Sequence, residues 1–324
     1  MKTPKEKILL VGAGPMAQAY AAVLKKFKLS FLVIGRSATS AKTFEKATGV
    51  VVITGGLETF LKTDPFLPTK AIIAVSVQEL GPVTRALLNA GVKNILVEKP
   101  GGLNKKDVAQ SATLAAAKNA HVIVAYNRRF YESVRKARKM IMADDGVISC
   151  AFDFTERVGD VEKLKIPDTV KNEWLLANSS HVIDLAFHLA GSPSELKSSV
   201  GGALPWHKKA IFVGHGKTET GALFSYHANW LSGGRWNIEI VTLKRKLVLQ
   251  PLETLRVMKK GTFDTKTVAL DDSLDRAFKP GVYRETEAFL LGDYDTKNLL
   301  TLAEHHSRLE IYEAIANGRN LRKT

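Results

Sequence analysis

Short apolar runs alternate with longer amphipathic stretches from Lys7 to about Val124. The runs Ile8 to Val11, Phe31 to Ile34, Val50 to Ile53, Ala71 to Val75, Ile95 to Val97 and His121 to Val124 are brief and rich in β-branched residues, as strands buried on both faces of a sheet should be. Between them, Met16 to Lys26, Gln78 to Ala90 and Lys105 to Lys118 have helical composition and spacing. The alternation predicts six strands joined by crossover helices, a doubly wound parallel sheet.

After a helix predicted around Tyr131 to Met142 the rhythm changes. Strand-like segments follow near Gly146 to Phe154, Glu195 to Gly202, Lys209 to His215, Gly221 to Ala228, Asn237 to Thr242 and Lys246 to Leu249, interrupted by one helix from about Ser180 to Leu189. Consecutive strands predict an open, mostly antiparallel sheet. Helical periodicity returns from Thr296 to Asn317 and stops at Gly318. The pattern divides the chain into a domain over 1–124 and a second over 125–324, an α/β protein overall, with the last helix packing back on the first domain.

A length of 324 residues suits about two domains. With 45% hydrophobic and 24% charged residues, the chain is neither disordered, collagen-like nor a membrane channel. Its single cysteine, Cys150, forms no intramolecular disulfide and no thiol zinc site, which fits a reducing compartment. The first apolar run meets Gly12 too soon for a secretory leader, and no apolar stretch approaches the ~20 residues of a membrane span. A cytoplasmic protein without a membrane partner is expected. The net charge of +15 favours anions. Its basic residues are scattered in short clusters such as Lys25-Lys26, Arg128-Arg129 and Lys244-Arg245-Lys246, without the long basic or aromatic-rich tracts of nucleic-acid binding. Solvated surface and an anionic small substrate are the readings that remain.

The first strand runs into Gly12-Ala13-Gly14-Pro15-Met16-Ala17 and then a predicted helix. Gly12 permits a tight turn, Gly14 lets backbone approach a pyrophosphate, and Ala17 allows close helix–strand packing, while free helix N–H groups meet the phosphates. The second strand ends Gly35-Arg36-Ser37 where an NAD site would carry an acidic residue. Arg36 and Ser37 suit a 2'-phosphate, so NADP(H) is preferred and NAD(H) kept as the alternative. Ser76 and Val77 after the fourth strand, and Glu98 and Lys99 after the fifth, complete the predicted cofactor contacts.

Lys99 ends the run Val97-Glu98-Lys99-Pro100 at the carboxyl edge of the sheet, where ligands of open α/β folds bind. Ala125-Tyr126-Asn127-Arg128-Arg129-Phe130 follows the sixth strand, and Asn178-Ser179-Ser180-His181-Val182-Ile183-Asp184-Leu185 lies in the second domain. In these motifs and their order the chain resembles the glucose-fructose oxidoreductase, inositol dehydrogenase and MocA family; Phe278-Lys279-Pro280-Gly281-Val282-Tyr283 is similar to its closing segment. The resemblance implies a Rossmann domain followed by an α/β domain whose open sheet mediates a homodimer or homotetramer, and a sugar, cyclitol or related substrate, anionic or nucleotide-linked. It implies that Lys99 lies beside nicotinamide and substrate oxygen, that Pro100 follows a cis bond, that His181 is the acid or base, and that Arg128 touches substrate. It also exposes a departure. The family often has Asp four residues before this His, where Ala177 stands here.

Hydride transfer at a carbinol needs a group that moves the hydroxyl proton, and histidine suits it with an unperturbed pKa of about 6.5. Ser179 and Ser180 read as N-caps, which would set His181 in a first helical turn and favour its neutral form. Val182, Leu185, Ala186 and Leu189 form an apolar stripe beside His181, Asp184 and His188. No further ligand cluster supports a metal there. Asn127, Trp174 and Asp184 join Lys99, Arg128 and His181 as predicted substrate contacts, Asp184 orienting either a neighbour or a substrate hydroxyl and Trp174 either stacking on substrate or packing in the core. At least one of Arg128 and Arg129 faces the site, and His305-His306 decorate the last helix. The leading reading is an NADP(H)-linked sugar or cyclitol oxidoreductase; a non-catalytic NADP sensor, suggested by Ala177, and an imine or tetrapyrrole reductase are the alternatives.

Overall fold

The computed structural model describes residues 8–292, 294 and 298–322. Lys7 and Thr296, where two predicted segments begin, lie outside the described residues. The chain forms two compact units, one of Met1–Asn127 with Leu274–Ser307 and one of Arg128–Ser273 with Arg308–Thr324. It therefore enters each unit twice, in place of the single boundary that the sequence pattern suggests at 124/125.

In the first unit, strands β1 (Ile8–Val11), β2 (Phe31–Ile34), β3 (Val52–Ile53), β4 (Lys70–Ile73), β5 (Asn94–Glu98) and β6 (His121–Ala125) alternate with helices α1 (Pro15–Lys26), α2 (Ala38–Thr48), α3 (Gly56–Leu61), α4 (Val77–Asn89) and α5 (Lys105–Ala117). The parallel order β6-β5-β4-β1-β2-β3 puts β1 between β2 and β4, with Val11 opposite both Ile34 and Ile73. The loops leaving β1, β2 and β4 consequently emerge together at the carboxyl edge, where the strand order reverses. Pro15 opens α1, whose Ala17, Tyr20, Ala21 and Leu24 form a buried stripe at helical spacing. Strand β3 is shorter than expected. Gly49 closes α2 in the left-handed conformation, Val51 is 77% exposed, and pairing with β2 starts only at Val52.

The second unit opens with α6 (Glu132–Ala143), β7 (Ser149–Asp153), short helices α7 (Val158–Glu162) and α8 (Asp168–Asn172), a π-helical turn at Leu175–Ser179, and α9 (Ser180–Ala190). Strands β8 (Pro193–Gly201), β9 (Ile211–Thr218), β10 (Leu223–Asn229), β11 (Asn237–Val241), β12 (Arg245–Leu249), β13 (Arg256–Lys259) and β14 (Thr265–Thr267) follow. After α10 (Ser273–Ala277), the first unit receives α11 (Val282–Leu291), β15 (Leu300–Thr301) and the start of α12 (Leu302–Asn317), and β16 (Leu321–Arg322) joins the second sheet. Leu300 and Thr301, predicted as helix, pair with Val124 and Ile123 as an antiparallel edge of the first sheet.

The second sheet has the order β14-β13-β12-β11-β7-β10-β9-β8-β16; it is antiparallel except for the β7–β10 pair. Helix α9 packs on β7 and β11, and Phe187 meets Phe152 and Phe224 edge-on at 5.5 and 5.1 Å. Cys150 is buried in this sheet, and burial pushes its thiol up to about 12, which leaves it a packing residue rather than a nucleophile. No described helix is long and apolar enough to cross a membrane.

Candidate active site

Gly12 leaves β1 with φ +125°, and a Cβ there would fall 2.2 Å from the Ala74 carbonyl oxygen, so only glycine lets the β1 and β4 ends approach so closely. Gly14 answers a different need. It precedes α1 in extended conformation, and a Cβ at this position would meet no heavy atom within 4 Å. The space above the α1 N-terminus thus fits a pyrophosphate, with the N–H groups of Met16 and Ala17 among those at the first helical turn. Arg36 follows β2 with a side chain 74% exposed, 3.3 Å from Glu79 in the first turn of α4. Ser37 caps α2, its hydroxyl accepting from the Ser40 N–H at 3.2 Å. Ser76 and Val77 open α4.

Glu98 is tied to the first helix: its carboxylate accepts the Tyr20 hydroxyl at 2.8 Å, and the same hydroxyl lies 3.4 Å from Glu285. Burial raises both the Tyr20 and Glu98 pKa values; the two carboxylates push Tyr20 further up, while the Tyr20 hydrogen bond and the charges of Lys99 and Lys279 oppose the rise at Glu98. Lys99 follows, half-buried, before a cis bond to Pro100. The Pro100 carbonyl accepts from His305 Nε2 at 2.9 Å. His305, expected on the surface, is wholly buried as the partner of the loop that carries Lys99, and only His306 is left to decorate the helix. Asn127 also serves the loops, donating to the Pro280 carbonyl at 2.9 Å.

In the second unit, the Arg128 guanidinium sits 4.8 Å above the Trp236 ring, and the His181 ring lies 6.2 Å from the same indole. Trp236 thereby joins two residues that sequence reading assigned to substrate. It also lines a cavity of about 450 Å³ with Glu156, Trp174, Asn178 and Arg235. Trp174 meets Trp206 edge-on at 6.4 Å, and its indole N–H has no acceptor among the described residues. Glu156 is 7% exposed and accepts from Asn178 at 3.1 and 2.9 Å and from the Ser179 hydroxyl at 2.6 Å.

These contacts revise the reading of the histidine segment. Ser179 is not an N-cap, because the chain is already helical through the π turn and the Ser180 N–H finds acceptors in that turn; the Ser179 hydroxyl serves Glu156 instead. His181 therefore does not begin the helical run. Ala177 is buried, and the carboxylate attached to its turn comes from Glu156, beyond the end of β7. Asp184 is 1% exposed and orients a neighbour, holding Arg129 through two nitrogens, with Arg308 at 3.4 Å. Trp236 and Glu156 were missed because they stand in irregular segments, and only their residue types, an aromatic and an acid, hint at a site. Among the described residues no group of three or more His, Cys, Asp or Glu could hold a metal ion.

Residues 6–126 match the model of GFO_IDH_MocA, an oxidoreductase family with an NAD-binding Rossmann fold. The first domain is thus similar to the NAD-binding domain of this family. YceM of Salmonella typhimurium, a curated protein named as an oxidoreductase, is 31% identical over 116 residues, 36% of this chain and 34% of that protein. The chain thus matches about a third of the curated relative's length. An Agrobacterium radiobacter oxidoreductase in complex with NAD+, L-tartaric acid and magnesium has a TM-score of 0.79 at 15% identity, with 98% of each chain covered. Levoglucosan dehydrogenase in complex with NADH and levoglucosan has a TM-score of 0.77 at 18% identity, covering 98% of this chain and 99% of that one. At such identities the likeness shows the fold alone, over both domains.

Proposed function

We propose that the protein is an NADP(H)-linked oxidoreductase acting on a carbonyl or secondary alcohol of a sugar, cyclitol or related polyhydroxy compound. The observation that carries the reading is the open cradle at the α1 N-terminus, with exposed Arg36 at the end of the adjacent strand β2. The bound dinucleotide would accept or deliver the hydride. The chain's own residues do the rest. The Gly12 to Ala17 loop and the first turn of α1 hold the pyrophosphate, and Arg36 with Ser37 binds the 2'-phosphate. Arg36's ion pair with Glu79 is exposed and so holds the guanidinium only weakly. Lys99 steadies the substrate oxygen electrostatically, and His181 takes or returns the hydroxyl proton. Trp236, between Arg128 and His181, supplies a flat apolar face for a sugar ring.

Calorimetric titration with NADPH and NADH tests the cofactor half. NADPH should bind about tenfold tighter or better, and Arg36→Ala should erase the difference, as loss of a charge-assisted phosphate contact requires. Equal or tighter NADH binding would refute the NADP preference. Turnover of sugars and cyclitols tests the chemistry: Lys99→Met and His181→Ala should abolish it while dinucleotide binding persists. A wild-type protein that binds NADPH and a sugar without turnover would be the sensor that Ala177 suggests.

A further inference from the structure

We propose that Glu156 determines substrate selectivity: its carboxylate accepts hydrogen bonds from the hydroxyls of a polyhydroxylated ring and turns away anionic groups. The inference deepens the oxidoreductase reading and rests on it for the identity of the second-unit cavity as the substrate pocket. Charges on the cavity wall differ in their surroundings. Arg157, Asp160 and Arg235 are exposed, and Arg157 already pairs with Asp160 at 3.0 Å, so water and salt screen them. Glu156 is the buried charge of the lining, 7% exposed, where a second negative charge would be repelled with little screening.

The carboxylate is also held in place. Asn178 bridges both of its oxygens and Ser179 donates to one of them, two donors from the turn that leads into His181. Trp174 and Trp236 line the same cavity. Their faces suit the C–H surface of a sugar ring, whose hydroxyls then become the natural donors to Glu156. This departs from the anionic substrate that the net charge of +15 suggested, because that charge is spread over the surface and the buried charge of the cavity wall is Glu156.

The test is quenching of tryptophan fluorescence in the full-length protein by glucose, myo-inositol and N-acetylglucosamine, against glucuronate as the anionic counterpart of glucose. Neutral ligands should bind, with glucuronate about tenfold weaker or worse. Glu156→Gln should weaken glucose by a similar factor and bring the glucose-to-glucuronate ratio near unity. Glu156→Asp should keep the ratio at lower affinity, and Asn178→Ala should loosen the carboxylate without removing its charge, weakening both ligands and leaving the ratio intact. Circular dichroism of each variant separates these effects from misfolding. Failure of every neutral ligand to bind, a wild-type preference for glucuronate, or an unchanged ratio in Glu156→Gln would overturn the proposal. NADPH titration of the same samples keeps the two readings apart: discrimination without dinucleotide binding removes the oxidoreductase reading and leaves Glu156's role standing, and the converse removes only the latter.

Discussion

An alanine methyl at Gly12 would strike the Ala74 carbonyl, whereas one at Gly14 would stand in open space above α1. Gly12→Ala should therefore lower stability by more than about 2 kcal/mol, while Gly14→Ala should leave urea unfolding within about 0.5 kcal/mol of wild type. The second variant should nevertheless bind NADPH about tenfold more weakly, because the methyl occupies the space assigned to the pyrophosphate. Unfolding curves and titrations on both variants check the contrast. Asp184 is a different kind of residue. Its buried charge is matched by Arg129, so Asp184→Ala takes the carboxylate away from a buried guanidinium and should cost about 3–5 kcal/mol by urea denaturation. His188, four residues on, is held far below its ordinary pKa of 6.5, first by burial and then by Arg129, Arg138 and Arg308. It stays neutral in the fold while the unfolded chain binds a proton, so stability should fall as pH drops below about 6.5 and continue to fall towards the depressed folded value. His188→Gln should remove up to about 1.4 kcal/mol per pH unit of that slope between pH ~6 and ~5, measured as the difference between the two proteins.

Asp144 shows how one carboxylate joins elements. It closes α6 and receives Thr242 at 2.8 Å and Arg245 at 2.7 and 2.8 Å, tying the helix end to the turn between β11 and β12. Burial would raise its pKa, but the hydrogen bonds from Thr242 and Arg245 and the charges of Arg245 and Lys244 outweigh it and hold the value below 3.8. A depressed carboxylate stabilises the fold above its unfolded pKa and loses that contribution as pH falls through the folded one. Asp144→Asn should thus cost about 1.5–3 kcal/mol near neutrality, and its gap from wild type in urea denaturation should shrink below pH ~3.8. The elements themselves were unevenly legible. Strands β1, β2, β5 and β6 could be read within two residues because both faces are buried and their apolar runs are unbroken. Thr265–Thr267 could not, since β14 is wholly exposed and carries no apolar alternation. Likewise, the π turn before α9 has no periodic signature, so Ser179 passed for a cap when its role was to hold Glu156.

The path of the whole chain was least visible in the sequence, since a return to an earlier unit leaves no mark on local periodicity. Motifs could place Lys99 and His181 in order, but they could not show that residues 274–307 complete the unit that contains Lys99. That segment brings Val282 and Phe289, both fully buried in α11, and Glu285 beside Tyr20. Its β15 pairs with β6, and His305 supplies the donor for the Pro100 carbonyl. A fragment ending at residue 127 would lose all four contributions and expose the β6 edge, which invites intermolecular pairing. Fragment 1–127 should therefore self-associate or unfold without a sharp transition. A single chain joining 1–127 to 274–307 through a flexible linker should unfold cooperatively as a monomer and bind NADPH. Sedimentation velocity and urea denaturation on the two fragments decide the matter. A monomeric 1–127 with the same midpoint as the joined fragment would show that the first unit does not depend on the returning segment, and that the boundary near residue 124 is a domain boundary after all.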